Sequence, residues 1–166
     1  MAAYRGSLGA QGTAFLSLYA KKVRECLVRL DDEQVWWRPH EASNSIANLV
    51  LHVHGNLSLW ILSSLGGLDF ERHRSREFTA DHTMTRDELL ALLEDAVTEC
   101  GRVLEGLGES DLDRPFHVQR YDTDARGIVF HAVEHMSYHT GQIVFITKQL
   151  LGAHHGIEFY PIHKDE

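Results

Sequence analysis

The chain has 166 residues, 43% of them hydrophobic and 24% charged, and its formal net charge is -8 at pH 7. This length suits a single domain over residues 1–166, and it is enough to bury a core without disulfides or a structural metal. This acidic balance argues against a nucleic-acid backbone as the main partner, since such a partner needs a net basic face.

Two further features bear on the compartment. The N-terminus has no basic segment followed by an apolar run, and no apolar run approaches the roughly 20 residues that a membrane span needs. We therefore expect a cytoplasmic protein without a membrane partner. Cys26 and Cys100 stand outside any CxxC spacing and fall inside predicted helices, so both are expected to be buried, reduced thiols.

The first predicted helix covers about Gln11–Leu30, because apolar side chains recur there at three- and four-residue steps, beginning with Phe15 and Leu18. A polar connection rich in capping residues follows. In that connection we expect Trp36 and Trp37 to act as packing anchors.

The second predicted helix begins at the cap candidates Ser43–Ser45 and ends at Gly66–Gly67, a helix C-terminal signal. The segment from Gly66 to Met84 is charged and has no periodicity, so it is predicted to be a surface loop.

Thr85 and Glu88 form a capping-box pattern, which predicts a third helix from Thr85 to about Gly106 or Gly108. A second long connection precedes the fourth predicted helix, Ile128–Gly152, and an irregular tail follows it. No segment shows sustained strand alternation, so the predicted fold is all-α, a four-helix bundle with long connections between helices.

Histidine is the unusual component, with 12 residues in the chain. Three of them recur at four-residue spacing in "HAVEHMSYH", as His131, His135 and His139. Residues at i and i+4 are neighbours on a helix, so either consecutive pair can converge on one divalent ion. The second helix offers His52 and His54 as a third ligand, and both border its apolar stripe, so periodicity does not choose between them.

A competing motif lies in the same stretch. His131, Glu134 and His135 match H-x-x-E-H, in which two histidines bind zinc and the glutamate acts as a general base. Such a peptidase also requires a distant acidic ligand and a substrate cleft, and neither can be identified from the sequence.

The segments "NSIANLVLHVHGNLSLWI" and "HAVEHMSYHTGQIVFI" resemble the DinB/YfiT-like superfamily, in its uncharacterised DinB-like branch. The resemblance covers nearly the whole chain, and "YHTGQI" is among its most specific elements. It implies a four-helix bundle, usually dimeric, with a divalent metal held by three histidines. Carried onto this sequence, the ligands are His52, His135 and His139.

The same resemblance places His131 beside the metal site or on the surface, and it turns His54 away from the metal. Asn56, Glu134 and Tyr138 are weak candidates for catalytic residues. For Tyr138 packing is the ordinary expectation, and for Glu134 it is solvation or orientation of a histidine. Gly141 is expected to allow close helix packing.

The resemblance also implies the chemistry. Three neutral ligands leave the full charge on the ion and leave coordination positions open, as in catalytic sites. Several relatives use low-molecular-weight thiols such as bacillithiol or mycothiol, so we expect a thiol S-transferase. The alternatives are a hydrolase that uses metal-bound water and a non-enzymatic, stress-related metal-binding bundle. Zinc or nickel is the expected ion, with iron, manganese or copper as alternatives, and a homodimer acting on a small molecule is expected.

Overall fold

The computed structural model describes residues 6–159. Within that range four long helices, α1, α3, α5 and α6, pack around one core, and short elements occupy the connections. The bounds are α1 Leu8–Leu27, α2 Asp32–Trp36, α3 Ile46–Leu57, α4 Arg74–Thr79, α5 Arg86–Glu105, β1 Pro115–Val118, β2 Tyr121–Asp124 and α6 Ala125–Leu151. The predicted all-α bundle is confirmed.

Helix α1 packs against α5 and α6, and α3 packs against the same two helices from the other side. Fully buried leucine and isoleucine side chains fill the space between them, among them Leu16, Leu93 and Ile143. Gly9 allows the close approach of α1 to α5, because a side chain there would collide with the carbonyl oxygen of Leu104. The contact between α1 and α5 is therefore part of an apolar, closely packed core.

The predicted starts of the second and third helices, α3 and α5, are confirmed by their caps. The Ser45 hydroxyl accepts a hydrogen bond from the Asn48 backbone N–H at the start of α3, and Asn48 Oδ1 accepts one from the Ser45 N–H. Thr85 and Glu88 form the corresponding capping box of α5. These pairs satisfy backbone donors that a helix terminus leaves free, so they fix where each helix begins.

The predicted first helix was displaced along the chain. It runs over Leu8–Leu27 rather than Gln11–Leu30, and Leu16 and Ala20 are buried where Phe15 and Leu18 were expected. The rest of the predicted apolar stripe, Val23, Cys26, Leu27 and Leu30, is buried as expected, whereas Phe15 and Leu18 are only half-buried. The last predicted helix begins three residues early, at Ala125, because the Asp124 side chain accepts from the Gly127 N–H and caps it.

Helix α3 continues without interruption into a wider π-helical segment, Ser58–Ser63. This wider turn belongs to the long helix that was predicted to reach Gly66. It carries Trp60, which is buried and lies against α6. Such segments are often found beside functional sites, and this one lies beside the histidines of α6.

The connections contain structure that the sequence did not predict. Helices α2 and α4 are short, and β1 and β2 form an antiparallel hairpin in which Val118 pairs with Tyr121 across a two-residue turn. Gln119 begins that turn with a φ of 57°, a conformation that usually favours glycine. The usual Asn-Gly or Asp-Gly turn signal is absent, so the hairpin went unpredicted.

Trp36 and Trp37 behave differently. Trp36 is buried and its Nε1 donates to the Met84 carbonyl at 2.8 Å, which confirms it as an anchor. Trp37 is 42% exposed, so its predicted anchoring role was wrong. Its side chain lines a groove between α3 and α6 instead.

The two cysteines are free and buried, as predicted. Burial raises the pKa of Cys100 to about 12, with a smaller contribution from Glu99. Burial also raises the pKa of Cys26 above its ordinary value. Both thiols are therefore protonated at neutral pH.

One window, Ile46–Ser63, is long and apolar enough to cross a membrane by length and mean hydropathy, contrary to the expectation that no run approaches such a length. In the structure 72% of it is buried inside the protein. Its apolar side chains pack in the core of the bundle. The predicted irregular tail begins after α6, and its residues 160–166 lie outside the described residues.

Candidate metal centre

His52, His135 and His139 form a cluster between α3 and α6. One ring nitrogen from each lies within 4.8 Å of the others. The Nε2 atoms of His52 and His135 are 3.0 Å apart. Two imidazole nitrogens on one ion, each about 2.0–2.1 Å from it, are separated by about 2.9–3.4 Å for bond angles of 90–109°. The structure thus brings together the three residues that the resemblance singled out.

Glu77 orients His52. Its Oε2 lies 2.7 Å from His52 Nδ1, and an ionised carboxylate only accepts, so Nδ1 donates and Nε2 keeps its lone pair for the cluster. Arg72 Nε and Nη2 donate to the same carboxylate at 2.6 and 2.9 Å. A carboxylate behind a histidine in this way fixes the tautomer of a metal ligand and raises its basicity.

Two residues of α3 determine where Glu77 lies: Asn48 binds its backbone, and Gly55 leaves room for its side chain. Asn48 Nδ2 donates to the carbonyls of Glu77 and Ala80, at 3.0 and 2.9 Å, and so ties α4 to α3. Gly55 leaves the space for the carboxylate, because a side chain there would collide with Glu77 Oε1 and approach Arg72 Nε to 3.1 Å. The Glu77–Arg72 ion pair occupies the space that a side chain at position 55 would need.

Gln142 orients His139. Its Oε1 lies 2.7 Å from His139 Nδ1, so the amide carbonyl accepts from that nitrogen and Nε2 is left for the cluster. Among residues 6–159 His135 Nδ1 is buried and has no hydrogen-bond partner. Two of the three histidines are therefore positioned by a partner on the far side of the ring.

The environment keeps His135 and His139 of the cluster neutral. Burial lowers the pKa of His135 to about 3, assisted by the neighbouring His139 and His52. Burial also lowers the pKa of His139, against an opposing hydrogen bond from Gln142. Burial alone would raise the pKa of Glu77, but the contacts with His52 and Arg72 outweigh it and the pKa is lowered. Neutral imidazoles beside an ionised carboxylate are the protonation states that metal ligation requires.

His131 lies outside the cluster. Its ring stacks on Trp60 at 3.9 Å between centroids, and its Nε2 accepts from Asn56 Nδ2 at 3.1 Å. Burial lowers the pKa of His131, so it too is neutral at pH 7. It stands beside the cluster with its own partners, which is one of the two positions that the resemblance gave it.

The other candidates are dispersed. Glu134 is exposed and does not line the cleft, so the H-x-x-E-H arrangement does not assemble a base beside two ligands. Tyr138 is 61% exposed, and its expected packing was wrong apart from an edge contact with His139. His54 is half-buried and outside the cluster, as expected. Gly141 was expected to allow close packing, but a side chain there would meet no atom within 4 Å in the described structure.

A cleft of about 530 Å³ opens beside the cluster. Its polar and aromatic walls come from α3, its π-helical extension, α6, the segment before α4 and the hairpin turn. Besides His52, His131 and His135 it is lined by Asn56, Trp60, Arg72, Arg74, Gln119, Arg120 and Tyr121. A cleft of this size accommodates a small molecule next to the histidines.

Several residues that line the cleft or orient the histidines were not predicted from the sequence. Arg72, Glu77 and Arg120 come from connections without periodicity, so nothing in their spacing linked them to the histidines. Gly55 did leave a signal, since a glycine inside an otherwise apolar helix often marks a close approach. Asn56 was named as a weak candidate, and it does line the cleft, 3% exposed.

The donor set fits a divalent transition-metal ion. Three imidazoles converge, two of them oriented from behind, and no fourth protein ligand joins them among the described residues. Such a set leaves positions free for exogenous molecules, as in catalytic rather than structural sites. The histidine cluster can therefore bind a metal ion, and the fold and site define a DinB/YfiT-like bundle.

The family follows from the sequence itself. Residues 11–159 match the family described as "Protein of unknown function (DUF1572)", so the chain belongs to that family. No curated protein matches the chain.

Solved structures share the fold at low identity. A DinB-like protein, YjoA, from Bacillus subtilis is 21% identical, covers 90% of this chain and 96% of its own, and has a TM-score of 0.69. YfiT from Bacillus subtilis, described as a probable metal-dependent hydrolase with an unusual four-helix bundle topology, is 15% identical over 90% and 93%, with a TM-score of 0.69. A mutant of mycothiol-dependent maleylpyruvate isomerase is 14% identical over 91% and 70%, with a TM-score of 0.59.

Proposed function

We propose that this protein is a metal-dependent enzyme in which His52, His135 and His139 hold one divalent ion at the edge of a small-molecule cleft. The observation that carries the proposal is the convergence of three imidazoles beside that cleft. The Glu77–His52 pair and the Gln142–His139 pair support it, because metal-ligating histidines almost always donate their other ring N–H to a carboxylate, a carbonyl or water.

When bound, a divalent ion on three neutral ligands acts as a Lewis acid and lowers the pKa of a thiol or water that joins it. The protein contributes the rest. Glu77 holds His52 in one tautomer, Trp60 and Tyr121 form the aromatic wall, and Asn56 with His131 provides a hydrogen-bonding pair inside the cleft.

A thiol is the nucleophile that we propose first. None of the residues that line the cleft is Asp or Glu, and Glu77 is already bound to Arg72 and His52. A thiol bound to a metal is deprotonated outright, so it needs no carboxylate base. The activity of the isomerase relative, described as mycothiol-dependent, supports the same class of cosubstrate. Bacillithiol and mycothiol are the thiols to test.

Hydrolysis is the second candidate. His131 lies at the cleft, where as a base it would accept a proton from water at Nε2 in exchange for its hydrogen bond from Asn56. The description of YfiT as a probable metal-dependent hydrolase supports this candidate. A non-enzymatic metal-binding role is the third.

The test is a thiol-consumption assay with metal-reconstituted protein. Each low-molecular-weight thiol is incubated with and without an electrophile such as 1-chloro-2,4-dinitrobenzene, and a parallel arm measures release of nitrophenol from nitrophenyl esters without thiol. We expect electrophile-dependent thiol loss that disappears in His139→Ala. Ester cleavage without thiol consumption would replace the transferase by the hydrolase, and inactivity in both arms would contradict the proposed enzyme.

Metal identity and assembly stay predictions. The all-imidazole donor set suits zinc, nickel, copper and iron, whereas manganese prefers carboxylate oxygens, so zinc or nickel remains the first expectation. The predicted homodimer is checked by sedimentation equilibrium of the purified protein.

A further inference from the structure

The cleft beside the histidine cluster is lined by three arginines, Arg72, Arg74 and Arg120. No Asp or Glu is among its lining residues, although the chain carries 24 acidic against 16 basic side chains. A basic pocket on an acidic protein is not the ordinary consequence of composition. It indicates a local potential that attracts an anion.

Arg72 does not supply that charge. Its side chain is 6% exposed and paired with Glu77 at 2.6 Å, so the two charges compensate each other. The free positive charge of the cleft therefore comes from the other two arginines, which are exposed and form no ion pair with a carboxylate within residues 6–159.

Arg74 is positioned on one side of the cleft by an aromatic ring. Its guanidinium carbon lies 4.9 Å from the centroid of Phe78, and the Phe78 ring lies 4.7 Å from that of His52. The guanidinium stacks on a ring that itself contacts a histidine of the cluster. Arg74 therefore places a cation in the same cleft as His52.

Arg120 is positioned at the cleft by the hairpin. Its Nη2 donates to the Tyr121 hydroxyl at 3.2 Å, and its guanidinium carbon lies 5.4 Å from the Tyr121 ring. The Tyr121 ring is 6.1 Å from Trp60, which stacks on His131. The turn that carries Arg120 has the positive φ at Gln119, a conformation that is costly for a residue other than glycine. The hairpin thus presents an arginine over the cleft.

We propose that Arg74 and Arg120 bind an oxyanion of the substrate, a carboxylate or a phosphate, while another part of the same small molecule faces the histidine cluster. A guanidinium presents paired donors that match both groups. The inference deepens the proposed function and rests on it, since it assigns the substrate class of the same cleft: a small anionic molecule with an apolar portion against Trp60 and Tyr121.

The test is isothermal titration calorimetry of the purified protein with inorganic phosphate and, separately, with succinate. The variants are Arg74→Gln, Arg120→Gln and the double substitution, with metal content measured on each sample. We expect at least one of the two anions to bind the wild type saturably and each single variant to weaken its binding about tenfold, because charge-assisted hydrogen bonds are lost. Which anion binds more tightly decides between carboxylate and phosphate.

Arg114→Gln is the matched control. Arg114 also lies on an aromatic ring, at 4.7 Å from the centroid of Phe116, and it forms no carboxylate ion pair within residues 6–159, but it is not among the cleft residues. We expect wild-type anion binding and unchanged metal content in this variant. Equal weakening in Arg114→Gln, or no saturable binding of either anion to the wild type, would overturn the inference.

The two proposals fail separately. If histidine substitutions leave the metal content unchanged, the metal-dependent enzyme is contradicted, and yet loss of anion binding in Arg74→Gln and Arg120→Gln would still establish the anion site. If metal binding requires the histidines and the arginine variants bind both anions normally, only the substrate class is wrong.

Discussion

The two halves of the bundle use their helix contacts for different purposes. Between α1 and α5 the contact is apolar, and Gly9 brings the helices together against the Leu104 carbonyl. Between α3 and α6 the contact also buries polar side chains, among them His52 and His139, and Gly55 makes room for a carboxylate instead of a helix. The contact between α1 and α5 stabilises the fold. The contact between α3 and α6 holds three imidazoles, two of which are oriented by hydrogen bonds from other residues. The comparison shows that the site depends on the connections, which supply Glu77 and Arg120.

The largest expected effect concerns the apolar half. In Gly9→Ala the new methyl group meets a backbone carbonyl that cannot rotate away, so α1 has to shift from α5. We expect the free energy of unfolding to fall by about 3 kcal/mol, near the upper end for overpacked cores. Urea unfolding followed by circular dichroism measures it. A loss below about 0.5 kcal/mol would show that the helices are not held in contact at this point.

The next effect concerns the polar half. Glu77→Gln removes the charge that orients His52, and such partners typically change metal affinity by about 10–100-fold. We expect weaker metal binding in a competition titration against a chromophoric chelator. Glu134→Gln is the control, because Glu134 neighbours His135 in sequence but is exposed. Equal losses in both variants would indicate a general effect of negative charge.

The next prediction concerns the pH dependence of stability, which Cys100 produces in the apolar half. The pKa of Cys100 is raised by burial to about 12 from 9.0, so the folded state retains this proton more strongly than the unfolded state. Its contribution to stability is complete below pH 9 and is lost as the pH rises towards 12. We expect the stability difference between wild type and Cys100→Ala to shrink between pH 8 and pH 11 in urea unfolding under reducing conditions. A constant difference would contradict the buried thiol.

The smallest effect concerns an exposed face of α6. Gly141→Ala adds a methyl group with no atom within 4 Å in the described structure, and alanine has the higher helix propensity. We expect stability to rise by about 0.5–1 kcal/mol, a sign opposite to that of Gly9→Ala. A decrease in the monomer would show that Gly141 packs against something on this face.

The histidines and the connections differ in how far the sequence predicts them. The four-residue spacing of His135 and His139 predicts a pair on one helix face, and the family resemblance selects His52 over His54. The bundle follows from apolar periodicity and from caps such as Thr85. Glu77 could not be predicted, because backbone carbonyls of α4, bound by Asn48, decide where it lies. The hairpin carries no turn motif, so Arg120 could not be predicted either.

The most direct test of the proposed site is the bound-metal stoichiometry by elemental analysis of wild type and of His52→Ala, His131→Ala and His139→Ala, each after reconstitution. We expect one divalent ion per chain in wild type and in His131→Ala, and loss of the ion in His52→Ala and His139→Ala. Loss in His131→Ala with retention in His139→Ala would contradict the assigned ligands and favour the H-x-x-E-H pair.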